Sequence, residues 1–338
     1  MGRGAARTLR VHVPAKINLH LGVGPRRPDG FHDVATVLQT VSLFDTLLLT
    51  LQEEPHAAHP AARRRMRATL TVDSGSGPAV SAGPDNLALV AARRLMAHLG
   101  IGGASGGGRT GEAATDTGTD GDRAGPTTRL HLTKRIPVAA GMAGGSADAA
   151  AALVGLNRLW DADLEPDVLH DLAALVGSDV PFCVEGGTAL ATGTGTSVAR
   201  VLNRTVTHWV VGVDREPLST ADVYARFDDL EPPSPSSPDG LLQALRTGDV
   251  DELAPLLRND LEPAAVLLRP ALAERRAALL DHGALAALVS GSGPTLLGLA
   301  RDAADARRLA AAVADRFDAV EVVSAPAGGP EVTVGAGT

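Results

Sequence analysis

The chain has 338 residues, 31 basic against 39 acidic for a formal charge of −8, and is 44% apolar but only 2% aromatic. That suits two globular domains or one large one with a core of Ala, Val and Leu, without the basic block nucleic acid would need or the ~18-residue apolar run of a membrane span. One cysteine, Cys183, forms neither an internal disulfide nor a cysteine zinc site, and the N-terminus lacks an apolar leader, so the expectation is a cytoplasmic protein with no nucleic-acid or membrane partner.

Leu9, Val11 and Val13 alternate with polar neighbours and predict a strand over 8–13, and Ile17, Leu19, Leu21 and Val23 repeat the pattern beyond Pro14. A loop at 24–30 follows. Apolar stretches at 34–51 and 68–72 predict further strands, separated by a polar tract read as an exposed insertion. Strands in series before any helix predict an α+β layout. Asp85 is the expected cap of a helix running to His98. Residues 101–128, rich in Gly, Thr and Asp, predict a mobile loop. A strand at 129–136 enters a glycine loop at 137–146, then an Ala-rich helix to about Trp160, and Pro166 opens the next helix. Residues 177–193 read as a turn and short strands, 209–215 as a strand and 231–240 as a surface loop. Helices are expected at 241–246, 249–258 and 263–282, then strand, glycine turn and strand over 284–300. A helix at 302–315, a strand at 319–324 and a disordered tail from 326 close the chain. The shift to helix-rich composition near residue 200 divides it into 1–200 and 201–338.

The strongest local signal is Pro137-Val138-Ala139-Ala140-Gly141-Met142-Ala143-Gly144-Gly145-Ser146-Ala147-Asp148. Small residues between a strand and a helix let backbone N–H groups converge at the positive end of the helix, which favours phosphate. Ser146 stands where it can cap the helix or face a metal-bound phosphate. No Gly-Lys-Ser/Thr follows, so this is not a P-loop, and the glycine spacing is not that of a dinucleotide fold. A tight strand-to-helix turn would look similar, as would the second glycine turn, Val289–Thr295.

Three segments, Pro14-Ala15-Lys16-Ile17-Asn18-Leu19, the 137–148 loop and the 289–295 turn, together resemble the three motifs of the GHMP small-molecule kinases in order and spacing. Arg26–Asp33, Gly177–Phe182, 214–224 and 259–264 resemble the branch of that superfamily whose substrate carries a cytidine diphosphate on a methylerythritol unit. Met142, Ala143 and Ala147 stand where the family usually has Leu, Gly and Ser, and Phe31 where it has Tyr. A methyl at 143 is tolerated at negative φ and crowded at positive φ.

The resemblance implies a two-domain fold, a strand-rich ATP-binding half and an α/β substrate half. It implies phosphoryl transfer from ATP, with Mg²⁺ as the ATP counter-ion and no dedicated protein metal ligands. Asp179 is the implied general base and Lys16 its partner; Asn18 lies on the same strand face as Lys16. The backbone of Pro137 to Ala147 is implied to hold the phosphates, with Asn86 and Lys134 near adenine or ribose. His32 is suited to the polar edge of cytosine, Phe31 and Tyr224 to its faces, and Thr220 to the erythritol portion. The bland alternatives are a snorkelling lysine, a turn-capping aspartate, a helix-capping Asn86 and aromatic packing. A monomer or weak homodimer is expected. The rivals are a homoserine, mevalonate or sugar kinase, or a non-catalytic nucleotide-binding protein on the same fold.

Overall fold

The computed structural model describes residues 7–52, 66–75, 77–101, 126–138, 140–230 and 234–335. The insertion expected after residue 52, nearly all of the loop expected at 101–128, and Ala139 lie outside the described residues.

Strands β1 (Arg7–Arg26) and β2 (His32–Gln52) make one long antiparallel hairpin. β1 runs straight through Pro14, where two strands were expected. The pairing register shifts between Pro14 and Ala15, and such an irregularity accommodates a residue with no N–H to donate. β3 (Arg67–Asp73) lies parallel to β4 (Thr127–Thr133), which pairs with one half of β2. The other half of β2 pairs with β5 (Thr188–Gly193), extended by β6 (Ser197–Arg200).

Helices α1 (Leu87–His98) and α2 (Gly144–Leu159) pack on this sheet. α1 is capped by Asn86 rather than Asp85: the Asn86 side chain accepts from Ala88 N. The alanines of α2 are fully buried, and Gly155 meets the sheet so closely that a Cβ there would sit 2.4 Å from Leu49 Cδ1. α3 (Pro166–Ala174) follows, and 180–185, expected as turn and strand, is the helix α4 (Val180–Glu185).

A second, antiparallel sheet has β7 (Thr207–Val213), β9 (Ala286–Val289), β10 (Leu296–Ala300) and β11 (Ala319–Ala325) in the order β11-β7-β10-β9. With it go helices α5 (Thr220–Asp229), α6 (Asp239–Thr247), α7 (Glu262–Leu268), α8 (Ala271–Asp281) and α9 (Ala303–Ala312). The helix expected at 263–282 breaks before Pro270, where Arg269 has φ −140° and ψ 86°, as a pre-proline residue is biased to do. The one expected at 249–258 is a turn of helix at Val250–Leu253, then a 3₁₀ turn and β8 (Arg258–Asn259), parallel to β1.

Over its described residues, 326–335, the tail expected to fray is held in place. Ala327 N donates to Thr40 O at 2.9 Å, and β12 (Glu331–Val334) pairs antiparallel with the exposed edge of β1. Residues from the C-terminal end therefore complete the sheet begun by the first strand.

Candidate active site

The central stretch of β1 brings Lys16 and Asn18 to one face, since alternate strand residues share a side. Lys16 does not snorkel: it is 5% exposed, and its Nζ donates to Asn18 Oδ1 at 2.8 Å and lies 3.8 Å from Asp179 Oδ2. Asn18 Nδ2 donates to Thr36 Oγ1 at 2.8 Å, and Thr36 Oγ1 to His20 O at 2.7 Å, so the lysine is held by a buried polar chain. Asp179 precedes α4, yet its side chain makes no capping hydrogen bond. Its carboxylate, 36% exposed, faces Lys16 and the cleft instead. Burial pushes the Cys183 thiol up, and the charge of Asp179 adds to this, so that sulfur stays protonated.

These groups floor a cleft of about 900 Å³ between the first sheet, with its glycine loop, and α5 with the second glycine turn. One end of it is backbone. Lys16 N donates to Met142 O at 3.2 Å, tying β1 to the glycine loop. Ala140, Gly141, Ala143, Gly144, Gly145 and Ser146 line the cleft where α2 begins. Gly141 has φ +70°, and a Cβ on it would lie 2.1 Å from the Ser290 carbonyl, so only glycine fits against the second glycine turn. Ser290 Oγ donates to Gly141 O at 3.2 Å, and Asn259 Nδ2 donates to Val289 O and Gly291 O at 2.8 and 2.7 Å. The 259–264 segment thus serves to fasten that turn.

Ala143 is the N-cap of α2 and is left-handed, φ 55° and ψ 35°, the crowded case for a residue with a Cβ. Ser146 is inside the helix and does not cap it. Met142 and Ala147 face the core, fully buried, whereas Val138 is exposed, and neither Pro137 nor Val138 lines the cleft.

Two expected nucleotide contacts are otherwise engaged. Asn86 spends both ends of its amide locally, accepting from Ala88 N and donating to Ser81 O. Lys134 is buried beneath the loop between Asp45 and Asp148, donating to Asp148 Oδ2 at 2.7 Å. Burial alone would lower its pKa, but Asp148 and Asp45 outweigh that and raise it. Burial pushes Asp148 well above the carboxylate range, with Lys134 opposing and Asp45 adding. Asp45 Oδ1 accepts from Arg135 N and from Ile136 N. The trio therefore anchors the entry to the glycine loop, with two of the three ammonium donors of Lys134 taken by carboxylates. Among the described residues no cluster of three or more His, Cys, Asp or Glu could hold a metal ion.

The other end of the cleft is side chain. Thr220, Tyr224 and Asp228 lie at four-residue steps along α5 and all line it. Thr220 Oγ1 is 2.9 Å from Ser292 Oγ. Tyr224 packs 4.9 Å from the His32 ring, and burial, with Asp179 nearby, pushes its hydroxyl up to about 12, so it remains a neutral phenol. His32 Nε2 is bonded to Asp228 Oδ1 at 2.8 Å, while Phe31 stands 64% exposed at the rim. Arg26 and Ser292 line the cleft from motifs already singled out in the sequence, though neither is expected there as a site residue, whereas for Asp228 only the four-residue step from Tyr224 could have pointed to it.

Fold and site define a small-molecule kinase of the GHMP class: residues 86–187 match the GHMP kinases N terminal domain and residues 241–319 the GHMP kinases C terminal domain. The chain is 45% identical over 314 residues to the 4-diphosphocytidyl-2-C-methyl-D-erythritol kinase of Salinispora arenicola (strain CNS-205), covering 91% of this chain and 88% of that one. It is 44% identical over 328 residues to the kinase of the same name from Nocardia farcinica (strain IFM 10152), covering 95% of each. The crystal structure of a 4-(cytidine 5'-diphospho)-2C-methyl-D-erythritol kinase superposes with a TM-score of 0.69 at 29% identity, covering 96% of this chain and 100% of that one. A homoserine kinase from Cytophaga hutchinsonii shares the fold at TM-score 0.67 and 19% identity, covering 97% of this chain and 98% of that one. The chain belongs to the 4-diphosphocytidyl-2-C-methyl-D-erythritol kinase family.

Proposed function

We propose that this chain transfers the γ-phosphoryl group of ATP to the 2-hydroxyl of 4-diphosphocytidyl-2-C-methyl-D-erythritol, a step in non-mevalonate isoprenoid precursor synthesis. The observation that carries the proposal is the Lys16–Asp179 pair, 3.8 Å apart and facing a cleft that ends in a helix N-terminus on one side and an aromatic recess on the other. A hydroxyl oxygen seated between the two groups donates its proton to Asp179 and accepts from the Lys16 ammonium. As its bond to phosphorus forms and the bond to the ADP oxygen breaks, the proton passes to Asp179. In a loose transition state that proton leaves late, so Asp179 acts first by orienting the nucleophile. Lys16 offsets charge on the transferring group.

The glycine-loop amides and the start of α2 fit a triphosphate. Mg²⁺ bound with ATP would neutralise phosphate charge, and Ser146 is the loop side chain that would meet it. Phe31, His32 and Tyr224 form the nucleobase recess, with Asn18 and Thr220 between it and the reacting centre. Such a recess has no use in a homoserine or mevalonate kinase. The half 1–200 would then hold the nucleotide and share the acceptor with 201–338, which contributes Thr220 and Tyr224. We read the enzyme as cytoplasmic and as a monomer or weak homodimer; no described helix is long and apolar enough to cross a membrane.

The test is ADP release, expected only when ATP and the cytidine-diphosphate substrate are both present. Equal turnover with homoserine or mevalonate overturns the substrate.

A further inference from the structure

The His32 ring has two nitrogens, and the fold commits only one. Nε2 lies 2.8 Å from Asp228 Oδ1, and an ionised carboxylate can only accept, so Nε2 carries the proton. In the neutral ring Nδ1 is then a bare acceptor. Among the described residues Nδ1 has no hydrogen-bond partner, and it is not among the side-chain atoms sealed from solvent without one. The ring cannot readily turn to exchange the two. Tyr224 packs on it at 4.9 Å and 38°, and Phe227 meets it edge-on at 6.1 Å and 77°. Asp228 is one helical turn beyond Tyr224, so α5 supplies both the packing surface and the proton acceptor.

We propose that Asp228 is a positioning residue that locks His32 in its Nε2–H tautomer and so sets base specificity. The bare Nδ1 accepts from the 4-amino group of cytosine and repels the O4 of uracil. This rests on the cytidine reading above. Without the carboxylate the ring distributes between tautomers, and the Nδ1–H form offers uracil the donor it lacks in the native recess.

The experiment titrates CDP and UDP into the full chain by calorimetry at pH 8, with a non-hydrolysable ATP analogue filling the triphosphate end. The native chain is expected to prefer CDP. Asp228→Ala should narrow the CDP-to-UDP ratio by roughly five- to tenfold, the effect of one hydrogen bond. Asp228→Asn, whose carboxamide oxygen still accepts from Nε2–H, should keep most of the ratio. Long-range ¹H–¹⁵N spectra, with His32 identified by its loss in His32→Gln, should show the Nε2–H form in the native chain and a mixture in Asp228→Ala. An unchanged ratio in Asp228→Ala, including equal loss of both ligands, overturns the proposal, as does an Nδ1–H ring in the native chain. A native chain with no preference for CDP overturns the cytidine reading itself, a result distinct from the others.

Discussion

The two ends of the cleft are made of different material. The triphosphate end is backbone: amides at the start of α2, a left-handed Ala143, and Gly141 laid directly on the Ser290 carbonyl. The acceptor and base end is side chain: Lys16, Asp179, His32 and Tyr224, each held by a particular neighbour. A backbone site tolerates any residue that keeps its φ and ψ and fails where a Cβ does not fit. A side-chain site fails at a single atom. The substitutions below test that division.

The largest effect should come from the side-chain end. Asp179→Ala is expected to lower kcat by about 10²–10⁴-fold, the range for loss of a general base, while the Kd of an ATP analogue stays put. A full-rate variant would remove Asp179 from the chemistry. At the backbone end, Gly141→Ala sets a methyl 2.1 Å from Ser290 O at φ +70°. The loop must shift, at a cost of about 2 kcal/mol or more, and ATP affinity should fall with it. Urea unfolding and nucleotide titration check both; a native-like variant would mean that the contact between loop and turn does not hold the cradle.

Legibility in the sequence follows the same division. Lys16, Asn18 and Asp179 stand in short motifs whose residue types carry the chemistry, and the fold brings them together. The glycine loop is legible as a strand-to-helix anion site, but not which of its residues face the cleft: Met142 and Ala147 point into the core, set by the loop's path for the first and the helix phase for the second. That Lys134 is engaged by Asp45 from β2 and Asp148 from α2 is visible only in the tertiary fold. Asp228 is one acid among many on a helix surface until α5 docks against His32. Pairings distant in sequence are hardest of all. Nothing in Glu331–Val334 signals that it will add to the edge of a strand more than three hundred residues earlier.

A smaller effect should separate the ends by pH. β1, which carries Lys16, is fastened on its far side by His20 Nε2, 3.1 Å from Ser236 O, and by Asp260, whose Oδ1 accepts from Ser236 Oγ at 2.9 Å. Burial pulls the His20 pKa below 6.5, against the opposing Ser236 carbonyl and Asp260. The unfolded chain therefore binds a proton where the folded chain does not, so stability is full above about pH 6.5 and declines as pH drops below it. Burial would raise Asp260, but the Ser236 amide, Arg258 and Val23 amide outweigh it and hold it below 3.8, so its contribution is lost only in stronger acid. The urea midpoint should fall between pH 7.5 and 5.5, and His20→Gln should flatten that fall. Among the described residues no buried histidine packs at the backbone end, and equal flattening by a glycine-loop variant would contradict the separation.

The smallest effect is the most discriminating. Ala143 holds a left-handed conformation that its methyl disfavours. Ala143→Gly relieves about 1–2 kcal/mol of strain but returns about 0.5–1 kcal/mol of chain entropy to the unfolded state, so stability should rise by at most about 1.5 kcal/mol. Because the alanine already follows the path glycine would take, its amides are already aimed, and the ATP Kd should stay within about twofold of native. Ala143→Val, β-branched at φ 55°, should instead lose both stability and affinity. A large gain in ATP affinity from Ala143→Gly would mean that the methyl crowds the phosphates. The triphosphate end would then depend on its side chains as much as the acceptor end does.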